Sequence, residues 1–93
     1  MTTGQIIFRV HAVRRMAERG ISIADIRRII EADDVVEDYP DDEPYPSKLL
    51  LGVFGHQAIH VVAAFDRGTA IIVTAYLPDP IQWDSTYRRR REP

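Results

Sequence analysis

The hydrophobic period of this chain changes once. Up to about residue 32 apolar residues recur at helical spacing, and from about residue 34 they alternate every second position, so a helical beginning is followed by a stranded remainder. The first helix is expected over about 9–19, with Ala12, Val13, Met16 and Ala17 on one stripe and Gly20 as a left-handed stop. Ser22-Ile-Ala-Asp25 has the form of a capping box, and opens a second helix over about 23–32 that buries Ile23, Ile26, Ile29 and Ile30. Four strands are expected after it, at about 34–39, 47–54, 58–66 and 69–77. Gly55-His56 and Asp66-Arg67-Gly68-Thr69 mark turns, while Pro40, Pro44 and Pro46 among Asp41, Asp42 and Glu43 make a rigid acidic loop. Ile59 to Phe65 is apolar on both faces and reads as a central strand; Gln5–Phe8 has room for one short extra strand. The expected class is α+β, two N-terminal helices packed on one face of a mainly antiparallel sheet of about four strands.

A chain of 93 residues is one domain with a single core, here 1–93, with 1–4 and 88–93 expected as loose ends. There is no cysteine for a disulfide, and no apolar run approaches the roughly 20 residues that span a bilayer. The N-terminus has no export signal. A cytoplasmic location without membrane contact is the expectation.

Charge is divided along the same line. From Arg9 to Arg28 six arginines face two acids, a net of +4, whereas Glu31 to Glu43 holds eight acids and no base, a net of −8. The formal total of −2 therefore hides a basic side and an acidic side. Within the basic stretch His11, Arg15 and Arg19 recur every fourth residue, lining an imidazole and two guanidiniums along one edge of the first helix. Arg14 lies beside them, and Arg88 to Arg91 form a second basic run.

Five stretches carry a resemblance: His11-Ala-x-x-Arg15-Met-x-x-Arg19-Gly-Ile-Ser22, Tyr39 before the acidic proline loop, Leu49-Leu-Leu-Gly52, Ile59-His60-Val-Val62, and Ile71-Ile-Val-Thr-Ala-Tyr76-x-Pro78. Over about residues 8–83 the chain resembles a small bacterial and archaeal family whose domain is formally of unknown function, grouped with the RelE/ParE-like toxin superfamily. The resemblance implies a RelE/ParE-toxin-like sheet with two N-terminal helices and an antitoxin partner that wraps over it. It also implies either cleavage of messenger RNA on the ribosome or poisoning of DNA gyrase. No catalytic set comes with it.

Metal-free RNA cleavage needs a base for the 2′-hydroxyl, positive charge on the phosphate and an acid for the leaving oxygen. His11, Arg15, His60 and Tyr76 are the expected catalytic residues, and Arg14, Arg19, Arg88 and Arg89 the expected phosphate contacts. Five of these also have a structural use: His11 can brace the first helix, Arg15 and Arg19 can pair with acids 37–43, and His60 and Tyr76 can close the core. His11, His56 and His60 lack metal-ligand spacing, and no cofactor is expected. Register decides whether His60 meets Tyr76. An even turn alone puts His60 opposite Ala75, whereas a bulge or a three-residue turn puts it opposite Tyr76. The leading expectation is a toxin-like domain of a toxin–antitoxin type system, acting as a metal-independent endoribonuclease on mRNA, with an antitoxin and RNA or the ribosome as partners. The alternative is a non-enzymatic protein- or nucleic-acid-binding module using the basic edge of the first helix. A homodimer joined along an exposed strand edge is a third arrangement.

Overall fold

The computed structural model describes residues 4–92. In chain order it runs β1 (Gln5–Phe8), α1 (Val10–Arg19), α2 (Ile23–Ala32), β2 (Val35–Tyr39), β3 (Ser47–Phe54), β4 (Gln57–Asp66) and β5 (Thr69–Tyr76). One mixed sheet has the order β1-β5-β4-β3-β2, with β1 parallel to β5 and every other pair antiparallel. The sheet has five strands rather than about four. The fifth is β1, whose pairing of Ile6 with Ala70 and Phe8 with Ile72 brings its two inward side chains onto the core. No helix among the described residues is long and apolar enough to cross a membrane.

Both helices are closed by local chemistry. α1 ends at Gly20, whose φ of 66° is the left-handed geometry that glycine adopts without a Cβ penalty. Two residues on, the Ser22 hydroxyl accepts from the Asp25 amide at 3.0 Å and the Asp25 carboxylate answers the Ser22 amide, the full capping box. The buried stripe of α1 is narrower than expected. Ala12 and Met16 are buried, one above the other, whereas Val13 and Ala17 sit about 100° round the helix and are exposed. Ile23, at the start of α2, is likewise out in solvent, while Ile26, Ile29 and Ile30 are buried. α2 approaches β3 closely because Gly52 has no side chain: a Cβ there would overlap Ile29.

Alternation along the strands then separates two faces. Ala12, Met16, Ile26 and Ile29 share a core with Leu50, Ile59, Val61 and Ile72, which defines the helix face. The opposite face carries successive rows of paired residues: Leu51, His60 and Tyr76; then Glu37, Leu49, Val62 and Thr74; then Tyr39, Ser47, Ala64 and Ile71. No helix among the described residues covers these rows. Part of the cover is the segment after Tyr76, in which Trp83 bridges to Arg90 and the Arg91 amide donates to the Gln82 carbonyl at 2.7 Å. Trp83 is 2% exposed. The run 88–92, expected as a loose end, is built into this hairpin; Pro93 and residues 1–3 of the other expected loose end lie outside the described residues. At that other end the Gly4 amide is tied to the Gly68 carbonyl at 3.1 Å.

Candidate functional site

His60 and Tyr76 meet because β5 carries one extra residue. The turn between β4 and β5 is a two-residue connection, Arg67-Gly68, with Asp66 opposite Thr69. Taken alone it would put Ala75 opposite His60. Between Ala63↔Ile72 and Val62↔Thr74 the register shifts by one, Val73 is the bulged residue, and beyond it His60 stands opposite Tyr76.

The imidazole is wholly buried, and both ring nitrogens are used. Nε2 lies 2.8 Å from the Tyr87 carbonyl, which can only accept, so Nε2 carries the proton. Nδ1 is then the acceptor for the Tyr76 hydroxyl at 3.2 Å. This is the neutral tautomer. Burial pushes the ring below its ordinary histidine value, against the opposing pull of the Tyr87 carbonyl and the Glu37 carboxylate. Burial likewise pushes the Tyr76 phenol up, so the hydroxyl keeps its proton at neutral pH. Trp83 closes the other side edge-on, its ring centre 4.5 Å from that of His60, and the Arg90 guanidinium lies over Trp83 at 4.6 Å.

Arg90 ties this group to the next row of the sheet. It donates to Glu37 Oε1 at 3.1 Å, and the same oxygen accepts the Tyr39 hydroxyl. The Tyr39 hydroxyl first and Arg90 second hold the Glu37 carboxyl below its usual range, and the carboxylate raises Tyr39 and Arg90 in return. In the sequence Glu37 and Arg90 are members of charge runs and Tyr39 part of the resemblance, and none of the three is among the expected site residues. The signal available was the spacing Glu37-x-Tyr39, which puts both on one face of a strand.

The remaining expected residues are distributed elsewhere. His11, Arg14, Arg15 and Arg19 belong to α1 on the helix face, with the sheet between them and His60, so the expected single catalytic set is not assembled. The cause is alternation: Ile59 and Val61 point to the helices, and His60 between them must point away. Arg15 and Arg19 pair with Glu18 at 3.2 and 3.6 Å instead of with acids 37–43. His11 is exposed, and Arg14 is exposed with no ion-pair partner among the described residues. In the C-terminal run Arg88 grips Asp34 with both terminal nitrogens, one of them at 2.8 Å, and thereby holds Asp34 below its usual range. Arg91 donates to the Pro80 and Trp83 carbonyls, and Arg89 alone of the four points to no carboxylate or carbonyl among the described residues.

Further along the helix-free face, the acidic proline loop folds over the sheet and leaves a cleft of about 270 Å³. Val62, Ala64 and Val73 line it from the sheet, Pro44 and Tyr45 from the loop, and Arg9, Asp42, Glu43 and Ser47 are its polar members. Among the described residues no group of three or more histidines and carboxylates stands close enough to hold a metal ion.

A family model described as a domain of unknown function, DUF4258, matches residues 8–77, which takes in α1 through β5 and with them Glu37, His60 and Tyr76. No curated protein and no solved structure matches the chain.

Proposed function

The chain belongs to the DUF4258 family of domains of unknown function, and we propose that it acts as a RelE/ParE-like, toxin-type domain that cleaves messenger RNA without a metal ion. One observation carries the reading: a wholly buried, neutral imidazole stands directly behind a partly exposed phenol on the helix-free face of the sheet. That pair is a proton relay. As the 2′-hydroxyl oxygen attacks phosphorus, its proton passes to the Tyr76 oxygen while the Tyr76 proton passes to His60 Nδ1. The P–O5′ bond breaks, the 5′ oxygen takes a proton from solvent, and the products are a 2′,3′-cyclic phosphate and a 5′-hydroxyl. Both ring nitrogens of the resulting imidazolium still have acceptors, the Tyr76 oxygen and the Tyr87 carbonyl. Burial keeps the resting ring neutral, so Nδ1 is unprotonated at neutral pH, while the same burial weakens the ring as a base. Tyr76 is thus the group that meets substrate and His60 the residue that positions and discharges it. Arg89, whose guanidinium has no carboxylate or carbonyl partner among the described residues, is the proposed phosphate contact on the covering hairpin, with Arg88 beside it in the chain.

Arg14 favours a second reading. It stands exposed on α1 one turn after Val10 and next to Val13, which are 70% and 50% exposed, a mixed apolar and cationic ridge suited to an acidic protein partner such as an antitoxin, or to nucleic acid. In that reading the domain is a binding module and not an enzyme.

The two are separated by inducing the protein in a bacterial host and mapping new 5′ ends across messenger RNA. Parallel cultures carry Tyr76→Phe, which keeps the ring and deletes the hydroxyl, and Arg14→Ala. New cuts in the parent that vanish with Tyr76→Phe and persist with Arg14→Ala are expected. Cuts that survive Tyr76→Phe remove the proposed site, and soluble folded protein that neither cuts nor arrests growth leaves the binding module.

A further inference from the structure

We propose that the cleft between the acidic proline loop and the sheet is a nucleobase subsite, selective for bases that carry an exocyclic amine. The inference rests on the RNA-directed reading above and gives it a recognition element. Size comes first: about 270 Å³ lies just below the usual range for drug-sized ligands and suits one flat ring system. Its sheet side is apolar, formed by Val62, Ala64 and Val73, and Tyr45 in its lining is an aromatic ring of the kind on which bases stack. Stacking of this kind tolerates every base.

Selection comes from the polar lining. The Ser47 hydroxyl donates to one oxygen of Asp42, and the second oxygen has no partner among the described residues. A carboxylate so placed accepts from an amino group, as carboxylates do from the N4 amine of cytosine. Adenine, guanine and cytosine offer such a group; uracil offers only its ring N3–H, flanked by two carbonyl oxygens that a carboxylate repels. The same negative charge repels phosphate and would orient a nucleotide with its phosphate toward Arg9, a guanidinium without a carboxylate partner among the described residues.

Position links the cleft to the relay. Val62 is the second residue after His60 on β4 and faces the same way, so the sheet side of the cleft begins roughly 7 Å along the strand from the imidazole. The bulged Val73 lines the cleft, and the same bulge delivers Tyr76 to His60. A base held in the cleft and a phosphodiester at Tyr76 would belong to adjoining parts of one strand.

The test uses the purified full chain, its amide spectrum recorded by two-dimensional NMR, and the 5′-monophosphates of adenosine, guanosine, cytidine and uridine as separate probes. Shifts at Tyr45, Val62 and Val73 are expected for the three amine-bearing nucleotides, with uridine monophosphate weaker by roughly tenfold. Asp42→Asn, a change at an exposed loop position, should erase that preference, and Tyr45→Ala should weaken all four alike. Equal binding of the four by the parent chain, shifts confined to other residues, or no shifts at all would overturn the proposal. A short single-stranded RNA of amine-bearing bases distinguishes the source. Cleft shifts with the RNA assign the site to a strand; cleft shifts with the monophosphates alone assign it to free nucleotides. The outcome is separable from the cleavage assay, because base binding with no new RNA ends would sink the nuclease and keep the subsite, and the converse would do the opposite.

Discussion

Acid should unlatch the C-terminal hairpin through His60. The ring has no exposed surface; Nε2 donates to the Tyr87 carbonyl and Nδ1 takes the Tyr76 hydroxyl. A proton added at Nδ1 places a charge where water cannot reach it and turns the Tyr76 hydroxyl from donor to acceptor. Glu37 and the Tyr87 carbonyl favour the charged ring and Arg90 opposes it, but burial outweighs them and the folded ring titrates below 6.5. In the unfolded chain the same ring titrates near 6.5. Above that value neither state holds the proton and the full stability is present. Between 6.5 and the lowered folded value the unfolded state binds more protons, so stability falls as pH falls, by at most about 1.4 kcal/mol per pH unit for one group. Below the folded value this contribution levels off. For a small domain, with a urea dependence of about 1–3 kcal/mol per molar, the loss moves the unfolding midpoint by roughly 1 M per pH unit. Trp83 is the only tryptophan and packs against His60, so its fluorescence reports the transition. Urea titrations between about pH 7.5 and pH 5.5 should show a falling midpoint for the parent and a lower but flatter one for His60→Gln, which keeps a donor for the Tyr87 carbonyl and does not titrate. A flat parent, or an equal slope in the variant, would refute the reasoning.

Three further substitutions test the frame around the site. In Gly52→Ala the new methyl would lie 2.9 Å from Ile29 Cδ1 and 3.2 Å from Phe54 Cε2, closer still to Ile29 Cγ1, so overpacking should cost about 1–3 kcal/mol. Circular dichroism should then show a melting temperature lower by about 4–8 °C per kcal/mol, and an unchanged one would mean that α2 does not sit on β3 as described. Arg90→Ala and Arg88→Ala should differ, although each removes one ion pair. The exposed Arg88–Asp34 pair is worth below about 1 kcal/mol and should be weakened by salt. Removing Arg90 also strips the cation from the face of Trp83 and leaves Glu37 with the Tyr39 hydroxyl alone. Its tryptophan emission should shift to the red in native buffer while that of Arg88→Ala stays in place; identical spectra would argue against the stacked arrangement.

What could be read from the sequence was what local chemistry decides. The two helices and their ends follow from a helical period, a left-handed glycine and a capping box, all within a few residues of one another. The four antiparallel strands follow from alternation and turns. β1 escaped the count because four residues cannot establish a period, and the partner that makes it a strand lies at Thr69–Ile72, far along the chain. The C-terminal hairpin was hidden for a related reason. Four consecutive arginines look like a solvated tail, yet Arg88 and Arg90 find Asp34 and Glu37, and Trp83 finds His60, only after the sheet has formed. The site shows the same division more sharply. His60 and Tyr76 stood out by residue type, and their register was narrowed to two alternatives; the choice between these fell to the single bulged residue Val73, which composition does not mark. The convergence of His11, Arg15 and Arg19 with them failed on a point that alternation contains. Ile59 and Val61 bury against the helices, so His60 cannot. A strand apolar on both sides concealed which side that was, because its second face is covered by the very hairpin whose folding only the tertiary structure reveals.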